Sequence, residues 1–206
     1  MLIDADYSQI EPRLMGHLSE DPKLCLIFKN DEDLYDGVAK TLGLPLSKDS
    51  RNLCKTLWLA ISYNAGAFKI SKKAGMSHGE AQSLINTLNR EFSQLFYWKD
   101  KVIQQASIKG SVKTLFGRII PLPLEWAHLA PNYMVQGSAA EIMKLALIAT
   151  RQYGPVSTVH DEIIFEAERD CSKEIREAME TVVQLRVPLK VDIGIGKSWK
   201  EAKGAA

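Results

Sequence analysis

Two aspartates stand out because each lies in an apolar segment that predicts a β-strand. Asp6 follows the residues LIDA near the start of the chain, and Asp161 lies within TVHDEIIFE. A carboxylate in such a setting needs a partner, since a buried charge without one is costly. A divalent cation is one such partner, and oxygen ligands without sulfur favour Mg²⁺ over Zn²⁺. The alternative is that each aspartate is an ordinary turn or strand-end acid, and for Asp161 this is favoured because His-Asp is common turn chemistry.

A second candidate site is a cationic helix face in the middle of the chain. Four residues recur at four-residue steps, so a helix places them on one face. They are Arg51, Lys55, Leu59 and Tyr63. Two cations one turn apart can grip a polyphosphate, and a tyrosine further along can stack on a base. The alternative is a solvated helix face that binds no ligand.

The elements that must position these residues differ in type along the chain. Apolar runs and turn residues predict strands at 2–7, a hairpin at 111–123, two strands within 156–168 and a last strand in VPLKVDIGIG. Caps and periodicity predict helices over 9–18, 22–28, 32–42, 50–64, 77–109, from Pro131 onward and at 171–184. Strands at the two ends, with helices massed between them, indicate the α+β class.

Composition and charge indicate a soluble globular protein. The chain has 206 residues, with 26 basic against 25 acidic residues and a net charge of +1. Bulk charge therefore does not indicate nucleic-acid binding, and a basic footprint must be local. The three cysteines have no metal-binding spacing, which favours reduced thiols over a zinc site or disulfides. The sequence shows no long apolar run and no signal-peptide layout, so neither a membrane span nor export is expected.

Three sequence blocks, taken in order, resemble the motifs of the family A DNA polymerases, the bacterial DNA polymerase I type. DYSQIEPR at residues 6–13 is similar to motif A, RNLCKTLWLAISY at 51–63 to the motif B helix, and VHDE at 159–162 to motif C. TLFGRIIPLP, NYMVQGSAAEIMKLALI and VPLKVDIGIGKSW are similar to further family segments. The resemblance covers essentially the whole chain.

This resemblance implies a polymerase palm, an antiparallel sheet with packed helices, that carries an inserted helical fingers subdomain. We expect palm at residues 1–30, fingers at 31–110 and palm again at 111–206, with the motif B helix at about 50–64. The family's thumb lies upstream of motif A, so we expect it to be absent here. Met1 leads directly into strand-like sequence, and we therefore expect a missing upstream segment or a partner polypeptide that supplies it.

The resemblance also implies a catalytic centre with two Mg²⁺ ions, for which Mn²⁺ can substitute. Asp6 and Asp161 would hold both ions, with the main-chain carbonyl of Tyr7 as a further ligand and Glu162 as an auxiliary acid. One ion would lower the pKa of the primer 3′-hydroxyl, and both would stabilise the charge that develops on the α-phosphate. Lys55 would protonate the departing pyrophosphate.

Contacts to the incoming nucleotide and to DNA follow from the same resemblance. Arg51 and Lys55 would bind the triphosphate, and Glu11 would press on the 2′ position of the sugar and exclude ribonucleotides. The expected nucleotide-binding set is Gln9, Glu11, Tyr35, Arg51, Lys55, Leu59 and Tyr63. The expected contacts to primer-template DNA are Arg118, Asn132, Gln136 and His160.

Several positions depart from the family pattern. Leu59 replaces an aromatic residue that packs on the nucleotide sugar, which predicts slower incorporation and altered handling of sugar-modified nucleotides. Tyr35 replaces a phosphate-binding histidine and cannot carry a positive charge. Pro12 disfavours helical geometry at the residue before it, so Glu11 is expected to be extended or to cap the helix. Asp4 matches no family role, and it either tunes metal affinity or lies at an exposed edge.

Three functions are open at this point. The first is a DNA polymerase core for replication or repair, in the cytoplasm of a bacterial or phage-type system and associated with the nucleoid. The second is a catalytically silent DNA-binding fragment that needs the missing thumb or a partner. The third, a single-subunit RNA polymerase or reverse transcriptase, is disfavoured by Glu11 and by the polymerase I-like blocks.

Overall fold

The computed structural model describes residues 1–62 and 65–204. Its helices are α1 (Ile10–Ser19), α2 (Pro22–Lys29), α3 (Leu34–Thr41), α4 (Lys48–Ser62), α5 (Ala67–Ala74), α6 (His78–Glu91), α7 (Ser93–Lys109), α8 (Ala130–Thr150), α9 (Ser172–Glu180) and α10 (Trp199–Gly204). Its strands are β1 (Leu2–Tyr7), β2 (Ser111–Lys113), β3 (Ile119–Pro121), β4 (Pro155–Val159), β5 (Glu162–Glu166) and β6 (Val191–Gly196). Short 3₁₀ helices lie at Leu124–Leu129 and Arg151–Tyr153.

The chain divides into two compact units. Unit one comprises Met1–Leu14 and Gln136–Ala206, and unit two comprises Met15–Val135. The division points fall within α1 and α8. They do not coincide with the predicted subdomain boundaries near residues 30 and 110, and the assignment of palm and fingers stays a prediction.

Unit one is built on a four-stranded antiparallel sheet in which β1 is a central strand. The strand order is β4-β5-β1-β6, and β1 pairs along its length with both β5 and β6. Ile3, Ala5 and Tyr7 on β1 are each at most 1% exposed, so the strand is buried as apolar runs of this kind predict. The antiparallel sheet and the many helices confirm the predicted α+β class.

Helix α10 approaches the sheet closely beside β6. A Cβ atom added at Gly196 would lie 2.5 Å from the main-chain nitrogen of Ala202, so the approach requires glycine at this position. The Ser198 hydroxyl accepts from the N–H of Glu201, and the Glu201 carboxylate accepts from the N–H of Lys197. These bonds fix where α10 begins and therefore which side chains it points at the sheet.

Unit two consists mainly of helices that begin at side-chain caps. Asp21 accepts from two main-chain N–H groups at the start of α2, and Ser77 forms a capping box with Glu80 at the start of α6. Both caps are predicted by the sequence. An apolar cluster that includes Val102 on α7 and Val112 on β2 packs the β2–β3 hairpin against that helix.

The observed helices differ from the predicted ones in several places. The sequence pattern does not predict α5 or α10, which are short helices of eight and six residues. The helical region predicted over 77–109 is divided at Phe92, where φ is −111° and the ring is fully buried. Among the described residues, no helix is both long and apolar enough to cross a membrane.

Candidate active site

Asp161 lies in the loop that joins β4 to β5. The loop has two residues, and the first, His160, has a φ of +56°, a left-handed conformation that permits the tight reversal. The main-chain N–H of Tyr7 donates to the carbonyl oxygen of Asp161 at 3.1 Å. Asp6 lies opposite Glu162 in the register of β1 and β5. The fold therefore brings together the two acids predicted as metal ligands, which are far apart in the sequence.

Asp6 is a half-buried acid surrounded by other acids. Its Oδ1 atom is buried and has no hydrogen-bond partner. Burial, and then the charges of Asp161, Glu162 and Asp4, raise the pKa of Asp6 to about 6. A divalent cation fits this setting, because it would bind the unpartnered oxygen and offset the like charges. In the described part of the chain, no group of three or more His, Cys, Asp or Glu side chains is arranged to hold a metal, so the candidate site depends on a pair.

Glu162 is held by helix α10. Its side chain is buried, with Oε1 accepting from Trp199 Nε1 at 2.8 Å and Oε2 accepting from Lys203 Nζ. Neither Trp199 nor Lys203 is among the residues that the sequence predicts for this site. No local pattern signals these contacts, because the partners are 37 and 41 residues apart along the chain.

Asp4 lies in the middle of the sheet, so the expectation that it occupies an exposed edge is wrong. It is 2% exposed, because β1 has a neighbouring strand on each side. Its Oδ1 atom has no hydrogen-bond partner. Burial, and then the charge of Glu162, raise the pKa of Asp4, while Lys203 lowers it. The other expectation, that Asp4 tunes metal affinity, is the one compatible with this position.

Glu11 lies within the first turn of α1, so the expectation of an extended or capping conformation is wrong. The helix tolerates Pro12 because main-chain N–H groups in a first turn have no acceptor within the helix. Burial, and then the charge of Asp161, raise the pKa of Glu11, whereas a hydrogen bond with the Gln136 side chain lowers it. The predicted sugar gate therefore faces one predicted metal ligand and one predicted DNA contact.

The turn between β1 and α1 is held by a buried arginine. Arg13 donates from Nε to the carbonyl of Ser8 and from Nη1 to the carbonyl of Pro188, both at 2.8 Å. Gln9, the residue after Ser8, has a left-handed conformation with a φ of +55°. The hydroxyl of Tyr7 donates at 2.7 Å to a main-chain oxygen of α9, and burial raises its pKa. These contacts position the predicted ligand Tyr7 and the predicted nucleotide contact Gln9.

Helix α4 of unit two carries the predicted cationic face. Lys55 and Leu59 are exposed and Arg51 is partly exposed, as the four-residue spacing predicts for one face of a helix. The opposite side is buried, and it comprises Cys54, Leu57, Trp58, Ile61 and Ser62. Tyr63, the fourth predicted member of the face, lies outside the described residues.

Arg51 is paired within unit two. Its Nη2 atom lies 2.8 Å from Oδ2 of Asp33, and its guanidinium carbon lies 5.2 Å from the ring centroid of Tyr35. The hydrogen bond that Arg51 donates to Asp33 raises the pKa of Arg51. Tyr35 is 8% exposed and provides a cation–π contact in place of a second positive charge. Asp33 is a partner that the sequence analysis did not identify.

The four residues predicted to contact DNA occupy different settings. Arg118 is exposed in the turn of the β2–β3 hairpin, where its main-chain N–H donates to the Thr114 hydroxyl. His160 is exposed in the β4–β5 loop. Asn132 and Gln136 lie on α8, the first buried and the second exposed. The structure describes each position, and the DNA contacts themselves stay predictions.

Lys99 is a buried lysine that the sequence analysis did not single out. It is 5% exposed, and its Nζ atom donates at 2.5 Å to the carbonyl of Ile61 in the last turn of α4. Burial lowers the pKa of its ammonium group to about 8, with the neighbouring charge of Asp100 acting in the opposite direction. Lys99 therefore holds the end of the helix that carries the cationic face.

Comparison with known proteins decides the family. The family model for DNA polymerase family A matches residues 1–201. The chain belongs to DNA polymerase family A. This confirms the resemblance that motifs A, B and C carry.

Named relatives agree with the family assignment. The chain is 32% identical, over 98% of its length, to a thermostable DNA polymerase I of Thermus filiformis, and 34% identical to DNA polymerase I of Pseudomonas aeruginosa over the same share. It spans 27% and 25% of those relatives. Among solved structures, it matches the POL domain of Pol1 from M. smegmatis in complex with DNA primer-template and dNTP. The TM-score is 0.91 at 32% identity, covering 98% of this family A chain and 40% of the other.

Proposed function

We propose that this chain is the catalytic region of a template-directed DNA polymerase, which joins a dNTP to a primer 3′-hydroxyl and releases pyrophosphate. The observation that carries the proposal is the position of Asp161, which lies in the β4–β5 loop close to Asp6. The Tyr7–Asp161 main-chain hydrogen bond holds the β4–β5 loop beside the end of β1. An acid pair with an unpartnered, buried oxygen suits the metal-assisted phosphoryl transfer of this family.

The residues of unit one fit a divalent cation. Asp6 and Asp161 would hold it through carboxylate oxygens, and Tyr7 through its main-chain carbonyl. When bound, two Mg²⁺ ions, or Mn²⁺ in their place, supply Lewis-acid activation of the 3′-hydroxyl and charge stabilisation at the α-phosphate. Both oxygens of Glu162 already accept hydrogen bonds from α10, so Glu162 contributes negative charge nearby and is not itself a direct ligand.

Residues of this chain position the nucleotide. Lys55 is exposed and ready to bind the triphosphate, and Arg51 joins it as its pairing with Asp33 is exchanged for phosphate. Lys55 then holds a proton that it donates to the pyrophosphate oxygen as this group departs. Glu11, fixed within α1, excludes a ribose 2′-hydroxyl by its bulk. Gln9, Tyr35, Leu59 and Tyr63 complete the proposed contacts to the nucleotide.

Primer-template DNA is the proposed macromolecular partner. The similarity to a polymerase domain solved with DNA primer-template and dNTP supports this class of partner. Arg118 and His160 are exposed, so both can reach a phosphate backbone. Asn132 and Gln136 carry amide groups that suit the acceptors of the minor groove.

A primer-extension assay with Mg²⁺ tests the proposal. We expect extension of a template-paired primer by the 206-residue chain, and loss of that extension in Asp161→Asn. The matched control is Glu166→Gln, which neutralises an exposed acid on β5 at the other end of the strand and should extend normally. Circular dichroism confirms that each variant is folded. A folded wild-type chain that binds DNA but extends no primer at high enzyme concentration would favour the catalytically silent fragment.

A further inference from the structure

Acidic side chains cluster on one face of the sheet in unit one. Asp4 and Asp6 are two residues apart on β1, so their side chains point the same way. Glu162 on β5 and the exposed Asp192 on β6 both lie directly opposite Asp6, which places them on the same face, with Glu162 diagonal to Asp4. Asp4 and Glu162 are each only 2% exposed. Carboxylates packed this closely repel one another unless a cation is present.

Helix α10 supplies a fixed cation to this face. Lys203 Nζ contacts Glu162 Oε2, and Trp199 Nε1 donates to Glu162 Oε1 at 2.8 Å. The helix lies close enough to do this because Gly196 has no side chain where Ala202 approaches. Glu162 is thereby turned toward α10 with both carboxylate oxygens in use.

Lys203 and Asp4 act on the same site with opposite sign. Asp4 is a buried acid two residues from Asp6 on the same face of β1, and Lys203 is a cation in contact with Glu162, the residue directly opposite Asp6. A bound divalent cation near Asp6 would be attracted by Asp4 and repelled by Lys203 through the same field. The motif resemblance accounts for Asp6 and Asp161 but not for Asp4, and it does not identify Lys203.

We propose that Asp4 and Lys203 are an opposed pair of positioning residues that set the divalent-cation affinity of the Asp6–Asp161 site. Asp4 strengthens binding of the cation from within β1. Lys203 weakens it and, together with Trp199, keeps Glu162 from becoming an additional ligand. The inference rests on the proposed function, since it assumes that Asp6 and Asp161 hold the cation.

The test is a titration of the metal-free chain with Mn²⁺ alone, in which free Mn²⁺ is measured by its electron paramagnetic resonance signal at pH 7.5. Asp4→Asn should weaken binding and Lys203→Met should tighten it, each by about threefold to tenfold, as expected for loss of one nearby charge. The double variant should return to within about twofold of wild type, because opposite effects on one field cancel. Asp161→Asn reports whether the titrated site is the proposed one.

Matched variants separate charge from structure. Lys200→Met removes an exposed lysine from the same helix and should leave the affinity unchanged. Lys203→Arg keeps the positive charge and should therefore retain the wild-type affinity for Mn²⁺. If Asp4→Asn fails to fold, the comparison of Lys203→Met with Lys203→Arg and Lys200→Met still decides the contribution of Lys203.

Two results would overturn the inference in distinguishable ways. If wild type binds Mn²⁺ and Asp161→Asn does not, but Asp4→Asn and Lys203→Met both match wild type, the opposed pair is refuted while the proposed function stands. If Asp161→Asn binds Mn²⁺ as wild type does, the metal site itself is misassigned, and both proposals fall. A loss of thermal stability in Lys203→Met with unchanged affinity would identify the Lys203–Glu162 contact as purely structural.

Discussion

Arg51 Nη2 lies 2.8 Å from Asp33 Oδ2, while the other oxygen of the same carboxylate caps helix α3. One side chain thus starts one helix and pairs with the first cation of another. The ion pair is partly exposed, with the two side chains at 41% and 25%. Pairs of this kind contribute about 1 kcal/mol or less, so the proposed exchange of Asp33 for a triphosphate at Arg51 should have a small cost.

Asp33→Asn should lower KM for the incoming dNTP by up to about fivefold, with kcat within about twofold of wild type. Asparagine caps helices as well as aspartate does, so α3 is retained while the competing charge on Arg51 is removed. Steady-state primer extension measures both constants. The comparison variant Asp33→Ala also loses the cap and should melt at a lower temperature. An increase of KM in Asp33→Asn would mean that Asp33 holds Arg51 ready for the triphosphate and does not compete with it.

Lys99→Met should raise the Tm at pH 7 by about 5 °C. The change removes the cost of burying a charged ammonium group, about 3 kcal/mol, and loses one hydrogen bond, about 1 kcal/mol. The net gain in the free energy of unfolding is therefore about 2 kcal/mol. The folded pKa is about 8 and the ordinary value 10.5. The penalty is therefore fully present below pH 8 and disappears as the pH rises toward 10.5. Thermal melts at pH 7 and pH 10 should show the advantage of methionine shrinking.

Lys101→Met is the matched control for this change. Lys101 lies two residues further along α7, is exposed, and has its Nζ atom 4.5 Å from the ring centroid of Tyr97. Its replacement should shift the Tm little, and equally at both pH values. A lower Tm for Lys99→Met at pH 7 would show that the bond to Ile61 outweighs the cost of burial.

Local chemistry made much of this fold predictable from sequence. Asp21-Pro22 and the Ser77–Glu80 capping box mark helix starts because the bonds they make are within a few residues. The β4–β5 hairpin follows from two apolar runs around His160-Asp161 for the same reason. From residue patterns alone, metal binding was only one of two interpretations for Asp6 and for Asp161. The family resemblance then predicted that the two residues bind metal together.

The features that escaped prediction depend on contacts between distant parts of the chain. An edge position for Asp4 was one of the two expectations, because the local sequence does not determine the order of strands in a sheet. The neighbours of β1 are strands near residues 164 and 194. Nothing in the local sequence distinguishes Lys203 and Trp199 from other helix residues. Their contacts with Glu162 exist only in the folded sheet. The rule for residues before proline failed at Glu11 because Pro12 lies in the first turn of a helix.

Gly196→Ala should lower the Tm by about 3 to 9 °C, the shift for a cost of roughly 1–3 kcal/mol. The new Cβ would meet the main-chain nitrogen of Ala202 at 2.5 Å, and a main-chain atom cannot move without displacing α10. Displacement should also break the Trp199–Glu162 bond and change tryptophan fluorescence. Gly204→Ala is the control, because a Cβ at Gly204 has no atom within 4 Å and alanine suits a helix. Equal Tm values for the two variants would refute the requirement for glycine at 196.

Asp6→Asn should raise the Tm of the metal-free chain at pH 7.5 by about 2 to 4 °C, corresponding to roughly 1 kcal/mol after discounting for the partly exposed side chain. The pKa of Asp6 is raised from 3.8 to about 6 in the folded chain. The folded chain favours the protonated form of Asp6. The stability that this form contributes is therefore fully present below pH 3.8 and is lost as the pH rises through 6. The advantage of asparagine should vanish near pH 4. Addition of Mn²⁺ at pH 7.5 should reverse the order, because the cation stabilises only a chain that binds it. Thermal melts of both proteins, with and without Mn²⁺, measure this, and an unchanged order in Mn²⁺ would show that Asp6 is not a ligand.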